Sequence, residues 1–173
     1  MRLFVALCLP DRVIASLLAL ECGVPGARWQ TREQLHLTLR FIGEADGRTM
    51  AAPGFTLELK GVGSFGGKAP RDLWAGVEPN EALAHLRRKI ESALQRIGLE
   101  PDGRKFTPHV TLARLKGAHN GRVIDFHAGH ALYASGPFAV DGFHLYSSKL
   151  TSNGAIYRIE KSYRLGKSGT SPL

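Results

Sequence analysis

The chain repeats itself once. A short apolar segment ends in LCLPD, a run with helical spacing follows, and HLTLR comes next; later a segment ends in GVEPN, a second helical run follows, and then HVTLAR. Pro10 and His36 are 26 positions apart and Pro79 and His109 are 30 apart, so the copies differ mainly in loop length. A single repetition of a strand-helix-strand unit is too short for a solenoid and suits two lobes related by a pseudo-twofold axis. Such lobes share one groove, and residues at equivalent positions of the two copies meet there.

The rest of the chain supports this plan. Arg2 to Leu9 reads as a buried strand, and Asp11 as the N-cap of a helix to about Glu21 that carries Val13, Ile14, Leu17, Leu18 and Leu20. A loop containing Trp29 follows. Leu35 to Ile42 alternates, with His36, Thr38 and Arg40 on one face and Leu37, Leu39 and Phe41 on the other. Further strands are expected over Phe55 to Val62, Leu73 to Val77, Val110 to Leu115, within Gly136 to Tyr146, and over Ile156 to Tyr163. Between them Asn80 opens a helix with a Leu83, Leu86, Ile90, Leu94, Ile97 stripe that Gly98 ends. Its Arg87, Arg88, Lys89 and Arg96 read as a solvated face, with a phosphate track as the less favoured alternative. The reading gives one domain over residues 1–163 and a frayed tail over 164–173.

His-x-Thr recurs at the same place in both copies, 73 residues apart and each time followed by Leu. On a strand this spacing sends an imidazole and a hydroxyl to the same side, about 7 Å apart. With the lobes face to face, His36 and Thr38 lie across from His109 and Thr111. Two imidazoles near neutrality supply a general base and a general acid, each worth roughly 10² to 10⁴ in rate. Two hydroxyls supply donors for non-bridging phosphate oxygens. Those are the parts that opening a phosphodiester requires, with no metal. A metal site is disfavoured because no carboxylate or third histidine has ligand spacing beside either copy. No Gly-x-Ser-x-Gly elbow is present, and Cys8 sits in an apolar run.

Charge narrows the partner. Lys and Arg number 23 against 15 Asp and Glu, a net charge of +8, and the pI is about 9.9, so an anion such as nucleic acid, nucleotide or an acidic membrane is favoured. At 43% hydrophobic and 22% charged residues the chain can bury a core, which excludes disorder. Two cysteines, Cys8 and Cys22, exclude a disulfide scaffold and a four-cysteine zinc site, and both are expected to be small buried hydrophobes in a reducing compartment. With no cleavable leader and no apolar stretch of membrane length, a soluble, cytoplasmic protein without membrane association is expected, and a monomer is the default.

LHLTLRFIGE and KFTPHVTLARL resemble the two signature motifs of the 2H phosphoesterase superfamily, most closely its LigT-like RNA 2′,3′-cyclic phosphodiesterases, also described as 2′-5′ RNA ligases. The resemblance extends to RLFVALCLPD, FTLELKGVGSF, LWAGVEP and LYSSKLTSNGAIYRI, nearly the whole chain before the tail. It implies an α+β, bilobal pseudo-twofold fold whose antiparallel sheets line a central groove, with helices outside. It also implies hydrolysis of a cyclic phosphate on an RNA end or a nucleotide to a 2′-phosphate, without cofactor, His36 acting as acid to the 3′ oxygen and His109 as base to water. The alternatives are 2′-5′ ligation and an RNA-end-binding module without catalysis. One departure stands out: only the ten residues Ala45 to Gly54 separate Glu44 from Phe55, where such proteins usually carry a helix.

Four further residues are candidates for substrate contact. Arg40 shares the parity of His36, although a surface position suits it equally. Arg114 has the opposite parity to His109; a bend after Leu112 would bring it round, and the resemblance implies an arginine there near the phosphate. Phe106 stacks a base in one reading and fills the core or rim in the favoured one. Tyr146, with Ser147 and Ser148, is placed at the groove edge. His85, His119, His127, His130 and His144 read as surface or structural.

Overall fold

In a computed structural model the described residues are 2–43, 52–151 and 154–166. Ten strands and three helices follow in the order β1 (Arg2–Leu7), α1 (Asp11–Leu18), β2 (Ala27–Trp29), β3 (Leu37–Gly43), β4 (Phe55–Leu57), β5 (Leu59–Phe65), β6 (Asp72–Val77), α2 (Glu81–Arg96), β7 (His109–Leu115), α3 (Asn120–Gly129), β8 (Phe138–Val140), β9 (Gly142–Thr151) and β10 (Gly154–Arg164). The architecture is α+β with two antiparallel sheets. The larger runs β10-β9-β1-β3-β7-β6-β5, with β2 also on β7, and the smaller is β4-β8. The repeat is visible as β1-α1-β3 and β6-α2-β7, each pair of strands antiparallel neighbours. The two motif strands, β3 and β7, meet at the sheet centre through one pair, Leu37 opposite Val110.

Alternation explains the layers. Leu3, Val5 and Leu7 of β1, Leu37 and Leu39 of β3, and Val110 and Leu112 of β7 join Val13 and Leu17 of α1 and Leu83, Leu86 and Ile90 of α2 in one buried cluster. That cluster is the back of the sheet, covered by helices. Phe4, Ala6 and Tyr146, with Tyr157 packed on them, form a separate cluster on the front. The groove is the front face.

Several expectations shift. The N-cap of α1 is Pro10 rather than Asp11: the Pro10 carbonyl accepts from Val13 and Ile14, and the Asp11 carboxylate pairs with Arg32 instead. The helix also stops at Leu18, short of Glu21. Trp29 ends a strand rather than lying in a loop. Phe55 to Val62 is split at Glu58 into β4 and β5, which go to different sheets, and Gly136 to Tyr146 is split at Asp141 into β8 and β9. Helix α3 has no counterpart in the sequence reading; it carries Gly121 and Gly129 and buries only Val123 and Phe126, too sparse a stripe for periodicity to register. Cys8 and Cys22 are exposed free thiols, because β1 ends at Leu7 and Cys22 lies beyond α1. At the other end the tail is structured through Gly166: β10 includes Arg164, Leu165 is buried, and Gly166 exchanges backbone hydrogen bonds with Ala52 and Gly54. The Ala45 to Gly54 connection lies outside the described residues up to Ala51, as does the tail beyond Gly166. No helix among the described residues is long and apolar enough to cross a membrane.

Candidate active site

The Leu37–Val110 pair fixes the site. Because β3 and β7 run antiparallel through it, Thr111 lies beside His36 and Thr38 beside His109, while the two histidines are diagonal neighbours. Directly opposed side chains stand about 5 Å apart at Cβ and diagonal ones about 7–8 Å. The pseudo-twofold axis passes through the Leu37–Val110 pair, whose side chains are fully buried behind the groove. The sequence motif therefore becomes a four-cornered patch with imidazole and hydroxyl alternating around it. Among the described residues no protein group hydrogen-bonds either threonine hydroxyl, which leaves both for a ligand.

Each histidine is held the same way. His109 Nδ1 lies 2.7 Å from the Thr107 carbonyl, two residues back, and His36 likewise bonds the carbonyl of Gln34. A ring that donates from one nitrogen to a carbonyl presents the other as a free acceptor when neutral. Aromatic walls complete the hold. Phe4 (ring centroids 4.9 Å), Tyr157 (5.1 Å, edge-on) and Tyr146 (6.1 Å) surround His36, while Phe65 (4.9 Å, edge-on) and Trp74 (6.3 Å) flank His109. Trp74 fits because Gly63 lies beneath it: a Cβ there would stand 2.3 Å from the indole.

Burial pushes the His36 imidazole down from its ordinary range to about 4; the charges of His109 and Arg114 act in the same direction, and the bond to Gln34 opposes them. The ring is therefore uncharged at neutral pH.

The four further candidates separate. Arg114 does face the groove. The β6–β7 register runs Trp74 with Thr111 but Leu73 with Ala113, so a bulge at Leu112 and Ala113 restores Arg114 to the side of Thr111. Its guanidinium pairs with Asp72 at 3.1 Å and its charge reaches His36. Arg40 is turned the other way by the matching bulge in β3, where Ala6 pairs with Thr38 but Val5 with Arg40. Arg40 lies behind the sheet, bonded to Glu91 at 2.9 Å and to the Glu100 carbonyl at 2.7 Å. It is a structural strut, not a groove residue. Arg87, read as part of a solvated face, joins the same network through Glu91. Phe106 packs against the back cluster under the Arg87 guanidinium, 5.4 Å away, so it fills the core and does not reach a base in the groove. Tyr146 is mid-strand and buried, stacked on Phe4, with its hydroxyl 2.8 Å from Cys8 Sγ. It flanks His36 on the front face as part of the buried aromatic wall.

The same β3 bulge brings forward a residue that parity assigns to the core. Phe41 is 51% exposed on the front, 5.8 Å from Phe4. It occupies the position in the first lobe that Arg114 occupies in the second. Tyr157, Phe65, Trp74 and Asp72 also escape sequence reasoning; they come from strands remote in sequence and carry no motif of their own. Among the described residues no three His, Cys, Asp or Glu side chains cluster as metal ligands.

Comparison with known proteins agrees with this geometry. The profile of the LigT like Phosphoesterase family matches residues 10–74 and 76–157. An RNA 2′,3′-cyclic phosphodiesterase of Thermotoga maritima is 34% identical over 152 residues, 78% of this chain and 77% of the relative. The protein of that name from Archaeoglobus fulgidus is 31% identical over 172 residues, 91% and 97% of the two chains. Among solved structures, TT0787 of Thermus thermophilus superposes with a TM-score of 0.79 at 25% identity, covering 98% of this chain and 100% of that one. E. coli LigT complexed with 3′-AMP gives 0.74 at 26% identity, covering 95% and 97%. The paired His-x-Thr strands, the groove they floor and these matches agree: the chain belongs to the LigT-like phosphoesterase family.

Proposed function

We propose that the groove hydrolyses 2′,3′-cyclic phosphates, on RNA ends or on nucleotides, to 2′-phosphates through paired acid/base catalysis by His36 and His109, without a metal. The observation that carries this reading is the diagonal placement of two carbonyl-anchored imidazoles across the Leu37–Val110 pair. A phosphorus atom seated between them has one imidazole on the side of the attacking water and one on the side of the departing oxygen. The water oxygen bonds to phosphorus as the neutral imidazole takes its proton. The bond from phosphorus to the 3′ oxygen breaks as the imidazolium donates its proton to that oxygen. The pair ends with its protonation exchanged and resets through solvent. In this reading Thr38, Thr111 and Arg114 hold the non-bridging oxygens as charge shifts onto them.

The electrostatics of the groove favour a division of roles opposite to the one the family resemblance implies. Burial keeps the His36 imidazole neutral at pH 7, the form in which a base starts, and the negative charge of a seated phosphate strengthens it as a proton acceptor. His36 is thus the base and His109 the acid. A substrate whose leaving group needs no proton, an aryl phosphodiester, tests the assignment. His36→Ala is expected to lower turnover by about 10² to 10⁴ on both cyclic nucleotide and aryl ester, whereas His109→Ala loses as much on the cyclic substrate and regains most of it on the ester. The reverse pattern gives the acid role back to His36. Unchanged turnover in both variants, or turnover abolished by EDTA, overturns the reading as a whole.

A further inference from the structure

We propose that Arg28 binds the phosphate one nucleotide upstream of the reacting terminus, so that the groove recognises the end of an RNA strand rather than a lone nucleotide. The inference rests on the cyclic-phosphodiesterase reading above and adds the residue that tells a strand end from a mononucleotide.

Strands β3 and β2 lie along the same edge of β7, β3 at Val110 and β2 from Ala113 to Leu115. On the groove face of that edge His36 stands beside Thr111, and the next step brings Arg28 directly opposite Arg114. With one residue of β7 taken up by the bulge, that step is about 7 Å from the strand rise. Trp29, next in the chain, points to the back and packs against Phe126 at 5.9 Å, which holds β2 in register.

Two arginines directly opposed across a strand pair repel, a destabilising arrangement unless each charge is offset by an anion. Arg114 has Asp72 to offset its charge. Arg28 is exposed, and among the described residues no carboxylate pairs with it. The first residue of β10 makes room for its guanidinium: a Cβ on Gly154 would stand 2.7 Å from Arg28 Nη2, and Gly154 has φ +128, which side-chain-bearing residues rarely adopt. Arg114 acts on the reacting phosphate, since its charge is already felt at His36. Arg28, one step outward on the same edge, meets the next anion along the strand, and guanidinium forks suit phosphate oxygens. A cyclic mononucleotide has no second phosphate and gains nothing from Arg28.

The test compares Arg28→Gln with the unmodified protein on a short RNA ending in a 2′,3′-cyclic phosphate and on the cyclic mononucleotide of the same base. Expected is a loss of about tenfold in kcat/KM on the RNA, with its dependence on log salt shallower by about one, and an unchanged rate on the mononucleotide. A second RNA carries a neutral methylphosphonate at the linkage before the terminal nucleotide. It is expected to lose the same factor with the unmodified protein and nothing more with Arg28→Gln, because both changes remove one contact. Equal loss on RNA and mononucleotide, no loss on either, or independent losses from the variant and the methylphosphonate would each overturn the assignment. No turnover of either substrate by the unmodified protein would overturn the activity itself, which the variant comparison alone would not.

Discussion

His36 is partly buried against Phe4, Tyr146 and Tyr157, and that environment should appear in stability as well as in rate. Its folded pKa lies below the unfolded value, so between the two the unfolded chain binds the extra proton. Stability is therefore full above pH 6.5 and falls as pH drops toward 4. The loss is on the order of 3 kcal/mol once pH is below both values. Urea denaturation at pH 7 and pH 4.5 is expected to show a steeper decline for the natural protein than for His36→Asn; parallel declines would contradict the burial of a neutral ring. Both histidines and both threonines are legible in the sequence because the repeat marks them twice. Their walls are not, since Phe4, Tyr146 and Tyr157 reach His36 from three strands that only the folded sheet brings together.

At the scale of elements, the bulges in β3 and β7 decide what the groove contains. A slip of one residue moves every following side chain to the other face. In β3 it sends Arg40 back and Phe41 forward; in β7 it brings Arg114 forward. The string LHLTLRFI alternates without interruption, so nothing in it announces the slip, and simple parity puts Arg40 and Phe41 on the wrong faces for that reason. The second slip is the bend after Leu112 that an inward Arg114 requires. Arg40 ties the strand of the first motif to α2 and to Glu100 and Asp102, in the segment that leads into the second motif. A hydrogen bond from Arg104 holds the Asp102 carboxyl down at about 2. Arg40→Met is expected to cost about 2–4 kcal/mol, because Glu91 loses a largely buried partner, and chemical denaturation measures it. A change below about 0.5 kcal/mol would make the network ornamental.

Over the whole molecule, the two lobes share one buried cluster that runs from Leu3 of β1 through Val110 of β7 to Ile90 of α2. Lobes with a common core unfold together. Trp29 and Trp74 report from β2 and β6, so tryptophan fluorescence and far-ultraviolet circular dichroism are expected to trace one coincident transition in urea. Separate midpoints would mean that the lobes are independent and that the groove can open between them. The bilobal plan is readable from the repeat and its helices. The joining of most strands into one eight-stranded sheet is not, because β3 and β7 touch at a single pair that no local pattern specifies.

The unlike residues that the two bulges deliver, an aromatic ring at position 41 and a cation at position 114, give handedness to a floor that is otherwise nearly symmetric. A fully symmetric floor would accept a five-membered cyclic ester in either of two orientations and release a mixture of isomers. On the proposed reading, one greasy end and one charged end give the ribose a single way to lie down, and a single regioisomer is the expected product.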